Sequence, residues 1–341
     1  MLIYLHGQPE ATGVIRQQNA DFEVEEQIDF TPTESGEHLW LWVEKEGTNT
    51  QYVAEQLAKF AGIAANDVSV AGQKDRHAVT RQWFCLRFAG KPEPAWSTWS
   101  SPSIRILKQV RHAKKLRTGG LTGNRFWIRL REVSDLKALQ ARFAQICNDG
   151  VPNYFGEQRF GREGQNLARA EAMFAGKRVK RQQRSLYLSA VRSHLFNQFV
   201  DARLRRCQAT PVSGDVVMLA GNRSFFTVCE WDESLLARLR ARDILLSAPL
   251  WGRGNSDSAP DIATLEAQIV AEQAWMAAGL EAAGLEQARR PLLLFPEQAT
   301  LTVDATSQSA LIEMVLPKGC FMTSVLRELL QYEDASRQHF E

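Results

Sequence analysis

The sequence lacks the patterns on which membrane proteins, disulfide-linked proteins and metalloproteins depend. No uncharged apolar run approaches the roughly 18 residues that a membrane helix needs. The first residues lack the basic and apolar segments of a secretory signal. No two of the five cysteines stand at CxxC spacing, and no two of the six histidines fall within one helical turn. These absences predict a cytoplasmic protein with reduced thiols, no membrane partner and no metal site.

Composition excludes several further classes of protein. The 341 residues are 44% hydrophobic and 23% charged, ordinary values for a globular protein of one large domain or two smaller ones. With 41 Lys and Arg against 39 Asp and Glu, the net charge is +2. These totals exclude a disordered chain, a collagen and a highly basic coat protein of nucleic acids. They leave open an enzyme that acts on RNA or DNA, because a sum over the chain hides how its charges are distributed.

The charges are strongly separated along the chain. Residues 105–131 contain nine Lys and Arg and no acid, and residues 177–206 contain nine more with one acid. We call these segments the first and second basic windows. Residues 21–37 contain seven acids and no base. A basic run is usually a solvated helix face, but the second window would then repel itself, so contacts with phosphates are favoured there.

Periodicity predicts a mixed arrangement of strands and helices. Strand patterns occur near 39–43, 68–70, 82–88, 126–130 and 310–315. Helices are expected at 50–60, from the N-cap Ser134 to Gly150, within 167–206 and 264–290, and at 323–330. The stretch 251–260 is linker-like, and its isolated GxG predicts a loop and not a phosphate site. The simplest architecture is a sheet-containing domain built from both ends of the chain, with an inserted unit near 150–296.

The sharpest candidate for chemistry follows the short strand at 68–70. After two small residues, Asp75 stands between Lys74 and Arg76. These cations would hold Asp75 ionised, and an ionised carboxylate at the end of a strand can act as a nucleophile or general base. The alternative is a solvated turn whose surface ion pairs contribute about 0–1 kcal/mol. The spacing alone favours the solvated turn.

Two further segments combine glycines, cations and aromatic rings. Within 119–127, Asn124 could bond the edge of a base, and Phe126 or Trp127 could stack on one. The alternative is a hairpin leading into a core strand, and the two-residue period sends at most one of these rings toward a ligand. The segment 152–162 is either a hydrogen-bonded loop that positions the inserted unit or a lining of the site.

Several long motifs resemble the tRNA pseudouridine synthase D (TruD) family. They are AGQKDRHAVTRQW at 71–83, GNRF at 123–126, VPNYFGEQRFG at 151–161 and LPKGCFMTSVLREL at 316–329. DFEVEE at 21–26 and GEHLWLWVEKEGTNT at 36–50 agree with the same family. The motifs occur in the family's order and cover nearly the whole chain, so the resemblance is specific.

The resemblance implies an RNA pseudouridine synthase that isomerises a uridine in tRNA, usually at position 13. Uracil is detached from its ribose at N1, turned and rejoined through C5, and no metal or other cofactor is required. An enzyme for another RNA or another uridine, and a non-catalytic RNA-binding protein of the same fold, are alternatives. A structural or protein-interaction domain is a third, although it would not explain the separated charges.

The resemblance also implies roles for single residues. The family's catalytic aspartate falls on Asp75, which replaces the solvated turn as the interpretation of that segment. The positions that contact the uridine fall on Phe22, Asn124, Phe126 and Phe321, with Phe126 as a stacking surface. The uridine must leave the RNA stack to reach them, at a cost of a few kcal/mol.

One position departs from the family pattern. The family usually has a lysine, paired with the catalytic aspartate, where Thr12-Gly13-Val14-Ile15 is followed here by Arg16. Arginine keeps the charge and can bind a carboxylate through two hydrogen bonds, but its planar group has a different geometry. We expect Arg16 to have a catalytic role beside Asp75.

The fold that the resemblance implies is α+β. A pseudouridine-synthase catalytic domain with a central mixed, largely antiparallel sheet is expected from residues 1–149 and 297–341. An inserted, helix-rich TRUD domain is expected from 150–296, and the two would enclose a basic cleft. The expected RNA-binding residues are Lys74, Arg76, Lys114, Lys115, Arg117, Lys177, Arg178, Lys180 and Arg181.

Overall fold

A computed structural model of the protein describes residues 2–88 and 90–340. The chain divides into two compact units. We call Pro9–Cys147, Pro296–Gly319 and Leu329–Glu341 the sheet unit. Met1–Gln8, Asn148–Phe295 and Cys320–Glu328 form the helical unit. Among the described residues, no helix is both long and apolar enough to cross a membrane.

Strands and helices alternate irregularly along the chain. The strands are β1 Thr12–Ile15, β2 Phe22–Gln27, β3 His38–Glu46, β4 Val68–Val70, β5 Val79–Arg87, β6 Ile104–His112, β7 Gly123–Leu130, β8 Val151–Pro152, β9 Asp215–Leu219, β10 Phe225–Val228, β11 Ile244–Leu250, β12 Ala288–Pro291, β13 Leu293–Leu294, β14 Glu297–Asp304, β15 Ser309–Pro317 and β16 Gln331–Asp334. The helices are α1 Thr50–Phe60, α2 Leu136–Asp149, α3 Gln165–Phe174, α4 Arg181–Cys207, α5 Glu233–Arg240, α6 Pro260–Glu272, α7 Ala274–Ala282 and α8 Met322–Leu329.

The sheet unit is built on one large mixed sheet. Its strand order is β14-β15-β7-β2-β5-β3-β6, and β4 pairs with the end of β5. Strands β2 and β5 are parallel, and the other neighbours in this sheet are antiparallel. A separate pair of parallel strands, β1 and β16, brings the two ends of the unit together. The predicted α+β class with a mixed, largely antiparallel sheet is confirmed.

Strand β3 is buried on both of its faces, which explains why its sequence is apolar without alternation. On one face Leu41 and Val43 pack against Leu57 of α1. On the other face Trp40 packs in an aromatic layer with Trp83 of β5, whose ring centroid is 6.0 Å away. The predicted helix at 50–60 is α1, and its apolar residues at helical spacing cover this sheet.

The start of α2 differs from the prediction in its capping residue. The side chain of Asp135, and not that of Ser134, accepts hydrogen bonds from the first backbone N–H groups of the helix, at 2.9 Å. Ser134 instead accepts a hydrogen bond from the backbone of Thr12. The helix therefore begins one residue later than a Ser134 cap would require, and the serine holds β1 beside it.

The helical unit is organised around α4, a helix of 27 residues. Its apolar face, including Phe196, Phe199 and Val200, is buried against the strands and other helices of this unit. The unit also contains a sheet of order β10-β9-β11-β12, which the sequence did not predict. Helices were expected to dominate 264–290, and α6 and α7 do lie there, but the range ends in β12, which begins at Ala288 and pairs with β11.

The linker-like stretch 251–260 is a loop tied to its own unit. The N–H of Arg253 donates to the carbonyl of Leu285 at 2.6 Å, and its carbonyl accepts from Gln287 at 2.8 Å. A Cβ atom on Gly252 would lie 2.4 Å from the carbonyl oxygen of Leu285, so this close approach needs glycine. The structure thus confirms a loop here and explains the glycine by packing.

Candidate active site

The guanidinium of Arg16 is the centre of the candidate site in the sheet unit. It follows β1 directly, and the pairing of β1 with β16 places Asp334 beside Ile15. Its Nη1 atom is 2.8 Å from Oδ2 of Asp334, and its Nη2 atom is 3.0 Å from Oδ2 of Asp75. The guanidinium carbon also lies 3.9 Å from the ring centroid of Phe22. One cation therefore joins two carboxylates and an aromatic ring.

Asp75 lies in the loop between β4 and β5, and its carboxylate remains accessible. Its side chain is 35% exposed, whereas that of Arg16 is 4% exposed. The backbone carbonyl of Asp75 accepts a hydrogen bond of 2.7 Å from Nζ of Lys45, which also donates to the carbonyl of Thr48. A fixed carboxylate with solvent access is the arrangement that a nucleophile requires.

The loop that carries Asp75 is fixed by α1 and β5. The hydroxyl of Thr50, the first residue of α1, accepts a hydrogen bond from the backbone N–H of Lys74 and donates to the side-chain oxygen of Gln82. The amide nitrogen of Gln82 donates to the carbonyl of Gly72 at 3.0 Å. With Lys45 at the carbonyl of Asp75, the loop backbone is thus bonded at three of its residues.

Lys45 is a buried cation, and sequence reasoning missed it. It is 0% exposed, and burial lowers the pKa of its ammonium group to about 8, although the nearby Asp75 opposes this shift. It stands in β3 two residues after the apolar run 39–43, between Glu44 and Glu46, so its sequence context resembles a solvated strand end and has no periodic signal for burial. A lysine in a strand buried on both faces needs partners inside the protein.

The flanking cations do not surround Asp75 as the sequence suggested. Nζ of Lys74 is 2.9 Å from Oε1 of Glu26, and both side chains are buried. Arg76 is exposed and donates to the carbonyl of Gly47. Neither neighbour therefore pairs directly with Asp75 in the described structure, because a loop turns successive side chains in different directions. The charge beside Asp75 comes instead from Arg16.

Phe22, Asn124 and Phe126 lie on the same face of the large sheet. Strands β2 and β7 are antiparallel, with Val24 opposite Phe126 and Glu26 opposite Asn124. The rings of Phe22 and Phe126 meet edge to face, with centroids 6.3 Å apart, and both rings are buried. Oδ1 of Asn124 is buried without a hydrogen-bond partner among the described residues. The contact of Arg16 with Phe22 joins this face to Asp75.

Comparison with known proteins identifies the family. The family model of tRNA pseudouridine synthase D (TruD) matches residues 1–172 and 164–329. The tRNA pseudouridine synthase D of Shewanella oneidensis is 49% identical over 341 residues, covering 100% of this chain and 92% of that protein. That of Aeromonas salmonicida is 49% identical over 336 residues, covering 98% and 95%. The chain belongs to the tRNA pseudouridine synthase D family.

A solved structure agrees with this assignment at the level of the fold. The TruD crystal structure from Methanosarcina mazei matches with a TM-score of 0.69 at 21% identity, and the match covers 94% of this chain and 93% of that one. The resemblance stated from the sequence motifs is therefore confirmed. Family membership also confirms the predicted class of enzyme, an RNA pseudouridine synthase.

Phe321, the remaining candidate of the TruD motifs, lies in the helical unit. It precedes α8, and its ring centroid is 5.6 Å from that of Phe155. The segment 152–162, left open by the sequence, is hydrogen-bonded to α4: Asn197 accepts from the backbone N–H of Phe155 and donates to its carbonyl. The segment is thus a fixed loop of the helical unit, next to one of the candidate residues.

The first basic window contributes less unpaired positive charge to the surface than its sequence suggests. Four of its arginines pair with acids that come from other segments. These pairs are Arg105 with Glu44, Arg111 with Glu93, Arg125 with Glu313, and Arg131 with Asp21. Lys114, Lys115 and Arg117 are exposed and form no ion pair within the described part of the chain. Lys108 is exposed and unpaired in the same way, so these four exposed cations of the described window are its candidates for contact with RNA.

The second basic window divides in the same way. Arg203 is buried and paired with Asp215, and Arg205 pairs with Asp201. The cations before and within the first turn of α4 are exposed, with no ion pair to any described residue. They are Lys177, Arg178, Lys180, Arg181 and Arg184. The exposed, unpaired cations of this window are therefore concentrated near the first turn of this helix.

Metal ligands do not cluster in the described structure. No group of three or more His, Cys, Asp or Glu side chains in residues 2–88 and 90–340 could hold a metal ion. None of the five cysteines, all of which lie in the described part of the chain, forms a disulfide.

Proposed function

We propose that the protein isomerises a uridine in tRNA to pseudouridine, with the uridine at position 13 as its target. Membership of the tRNA pseudouridine synthase D family supports this chemistry. The observation that carries the proposal is the carboxylate of Asp75, which is 35% exposed and held 3.0 Å from the Arg16 guanidinium. An accessible, fixed carboxylate beside a cation suits nucleophilic catalysis.

The reaction balances without a cofactor. The bond from N1 of uracil to C1′ of the ribose breaks, the base turns, and a bond forms between C5 and C1′. The proton on C5 is lost to solvent and N1 gains one, so product and substrate have the same composition. Asp75 supplies the nucleophilic oxygen while the base is detached. Arg16 keeps that oxygen in one position by binding Oδ2 of the same carboxylate.

The sheet face beside Asp75 would hold the flipped uridine. Phe126 is 7% exposed and packs on Phe22, so the base would first contact the accessible part of its ring. Base-aromatic contacts contribute roughly 1–3 kcal/mol, which offsets the cost of flipping. The unpartnered Oδ1 of Asn124 would accept a hydrogen bond from N3–H of uracil or from the ribose hydroxyl. Phe321 would contact the RNA from the helical unit.

The two units would divide the work between chemistry and RNA binding. We assign the catalytic domain to the sheet segments and the TRUD domain to the helical insertion, with boundaries near 149–150 and 296–297. The exposed cations of both basic windows would bind phosphates, together with Arg76. Lys74 supports this least, because its ammonium group is buried on Glu26. We expect the reaction to occur in the cytoplasm, with tRNA as the partner.

Mapping of pseudouridine in RNA tests the activity and the target together. RNA from cells with and without the gene is compared at single-nucleotide resolution. The proposal predicts that pseudouridine at position 13 of some tRNAs disappears without the gene and returns with the wild-type protein. It predicts no return with Asp75→Asn.

Two outcomes would favour the alternatives. Loss of pseudouridine at another uridine, or in another RNA, would mean that the chemistry is right and the target wrong. Unchanged pseudouridine throughout, together with tight binding of RNA by the purified protein, would indicate a non-catalytic RNA-binding protein.

A further inference from the structure

An aromatic ring of the helical unit is surrounded by two cations and two further rings. The guanidinium carbons of Arg290 and Arg159 lie 4.3 Å and 5.6 Å from the ring centroid of Phe155. The ring centroids of Phe196 and Phe321 lie 5.4 Å and 5.6 Å from the same ring. Arg159 is also 5.6 Å from the ring of Phe321. Contact with the face of an aromatic ring stabilises a guanidinium group, but the ring does not neutralise its positive charge.

Arg159 has no acid to compensate its charge. Within the described structure its side chain donates one hydrogen bond, of 3.2 Å from Nη1 to the hydroxyl of Ser189 on α4. No carboxylate among residues 2–88 and 90–340 lies within 4 Å of it. By contrast, the buried Arg203 and Arg289 of the same unit pair with Asp215 and Glu266 at 2.9 Å and 3.1 Å.

The charge of Arg159 has an energetic cost in this position. Burial lowers the pKa of its guanidinium, although arginine stays charged at neutral pH. Burial also lowers the pKa of Arg290, and the charge of Arg159 adds to that shift. The positive charges of these two neighbouring guanidinium groups repel each other. An anion bound at the protein surface beside them would reduce this repulsion.

The position of Arg159 suits one particular anion. A guanidinium has five N–H donors, and those of Arg159 that lack a partner are not enclosed in the protein. The hydrogen bond to Ser189 fixes one side of the Arg159 guanidinium. The N–H groups of its other side can donate to two oxygens of one phosphate. An arginine next to an accessible aromatic ring matches a nucleotide of single-stranded RNA, whose base stacks while its phosphate binds the cation.

We propose that Arg159 binds a backbone phosphate of the RNA, at a nucleotide whose base contacts the ring of Phe321. This inference rests on the proposed function, because it takes RNA as the ligand. It assigns to the loop 152–162 a direct part in RNA recognition.

The dependence of RNA affinity on salt tests this contact. An unmodified tRNA transcript is titrated with the Asp75→Asn protein, which lacks the nucleophile, between 50 and 300 mM KCl. Loss of one phosphate contact reduces the slope of log affinity against log salt by about 1. Arg159→Met is therefore expected to lower the slope by about 1 and the affinity by about 5-fold to 20-fold. Arg238→Met is the matched control, because Arg238 already pairs with Asp243.

Two additional variants keep the test decisive if Arg159→Met does not fold. Arg159→Lys retains the charge and therefore the slope, but loses two-point binding, so its affinity is expected to fall about 3-fold to 10-fold. Ser189→Ala frees the guanidinium without removing its charge and is expected to weaken binding with the slope unchanged. The Arg159 variants are made in the Asp75→Asn protein, and a slope and an affinity equal to those of that parent protein in every folded Arg159 variant would overturn the proposal.

The inference and the proposed function fail in different ways. If the wild-type protein forms pseudouridine and the Arg159 variants bind RNA normally, the phosphate site alone is wrong. If the wild-type protein forms no pseudouridine in any RNA, the proposed function is wrong, whatever the slopes are.

Discussion

At the scale of single residues, Arg16 combines an unusual backbone with a fixed side chain. Its φ of 57° lies in the left-handed region, which costs a residue other than glycine about 1 kcal/mol or more. The cost is offset by bonds to Asp75 and Asp334, and Asp334 is itself held by the hydroxyl of Ser336 at 2.6 Å. This geometry answers what the sequence left open: arginine does pair with Asp75 here.

Removing the guanidinium should slow catalysis without abolishing RNA binding. For Arg16→Met we expect a single-turnover rate about 10²-fold or more below wild type, because the carboxylate of Asp75, the proposed nucleophile, loses the bond that fixes its position. Arg16→Lys, which has the usual family residue, should stay within about 10-fold. Rates are measured with enzyme in excess over a tRNA transcript. A rate for Arg16→Met within about 3-fold of wild type would contradict this role.

Lys45 should give the protein a pH-dependent stability in the alkaline range. Its pKa is about 8 in the folded protein and 10.5 in the unfolded chain, so the unfolded chain binds more protons between these values. From this group, the free energy of unfolding therefore rises as pH increases through that interval. The predicted rise is on the order of 3 kcal/mol.

The comparison with Lys45→Met isolates this effect from other groups that titrate. Urea unfolding of both proteins is measured from pH 7.5 to pH 10. The stability of wild type relative to Lys45→Met should increase with pH above 8. A difference that stays constant with pH would mean that Lys45 is not a buried cation.

At the scale of elements, the conformation of the loop that carries Asp75 depends on residues of neighbouring elements. Thr50 of α1 and Gln82 of β5 bond its backbone, and neither is in the loop itself. The predicted strand β4, helix α1 and strand β5 were correct, since each has clear apolar periodicity. The bonds between them were not predicted, because a hydroxyl and an amide have no periodic signal. The contacts of Lys45 and Asp334 were not predicted for the same reason.

Removal of the Thr50 hydroxyl tests this dependence. In Thr50→Val the N–H of Lys74 and the side chain of Gln82 lose a buried partner, which should cost about 1–3 kcal/mol of unfolding free energy. The single-turnover rate should fall with it, because the loop that carries Asp75 is less restrained. Thr50→Ser retains the hydroxyl and should behave like wild type in both. If Thr50→Val had the stability and the rate of wild type, the loop that carries Asp75 would not depend on the Thr50 hydroxyl for its conformation.

At the scale of the whole molecule, the net charge of +2 is the difference between separated groups. The sequence located the basic segments correctly but overestimated their surface charge, since pairing with distant acids such as Glu44 and Asp21 depends on the fold. The exposed charge that remains includes Lys114 and Lys115 and the start of α4. The strands of the helical unit were missed because β9–β12 have only four to seven residues and none of them alternates strictly between apolar and polar residues.

The start of α4 should contribute strongly to RNA affinity. Replacing Lys180 and Arg181 with Gln is expected to lower the slope of log affinity against log salt by about 2, if each cation binds one phosphate. The control protein has Gln in place of Arg238 and Arg240, which pair with Asp243 and Glu233. Both proteins are titrated with the same tRNA transcript. Equal slopes for the variant and its control would mean that Lys180 and Arg181 at the start of α4 do not bind phosphates of the RNA.

The central claim is that Asp75 is the nucleophile of a pseudouridine synthase, and release of tritium from C5 of uridine measures it most directly. The wild-type protein is incubated with tRNA labelled at C5, beside Asp75→Asn and the control Asp29→Asn, which changes an exposed acid of the sheet unit. The account predicts release by wild type and Asp29→Asn and none by Asp75→Asn. Undiminished release by Asp75→Asn would contradict it.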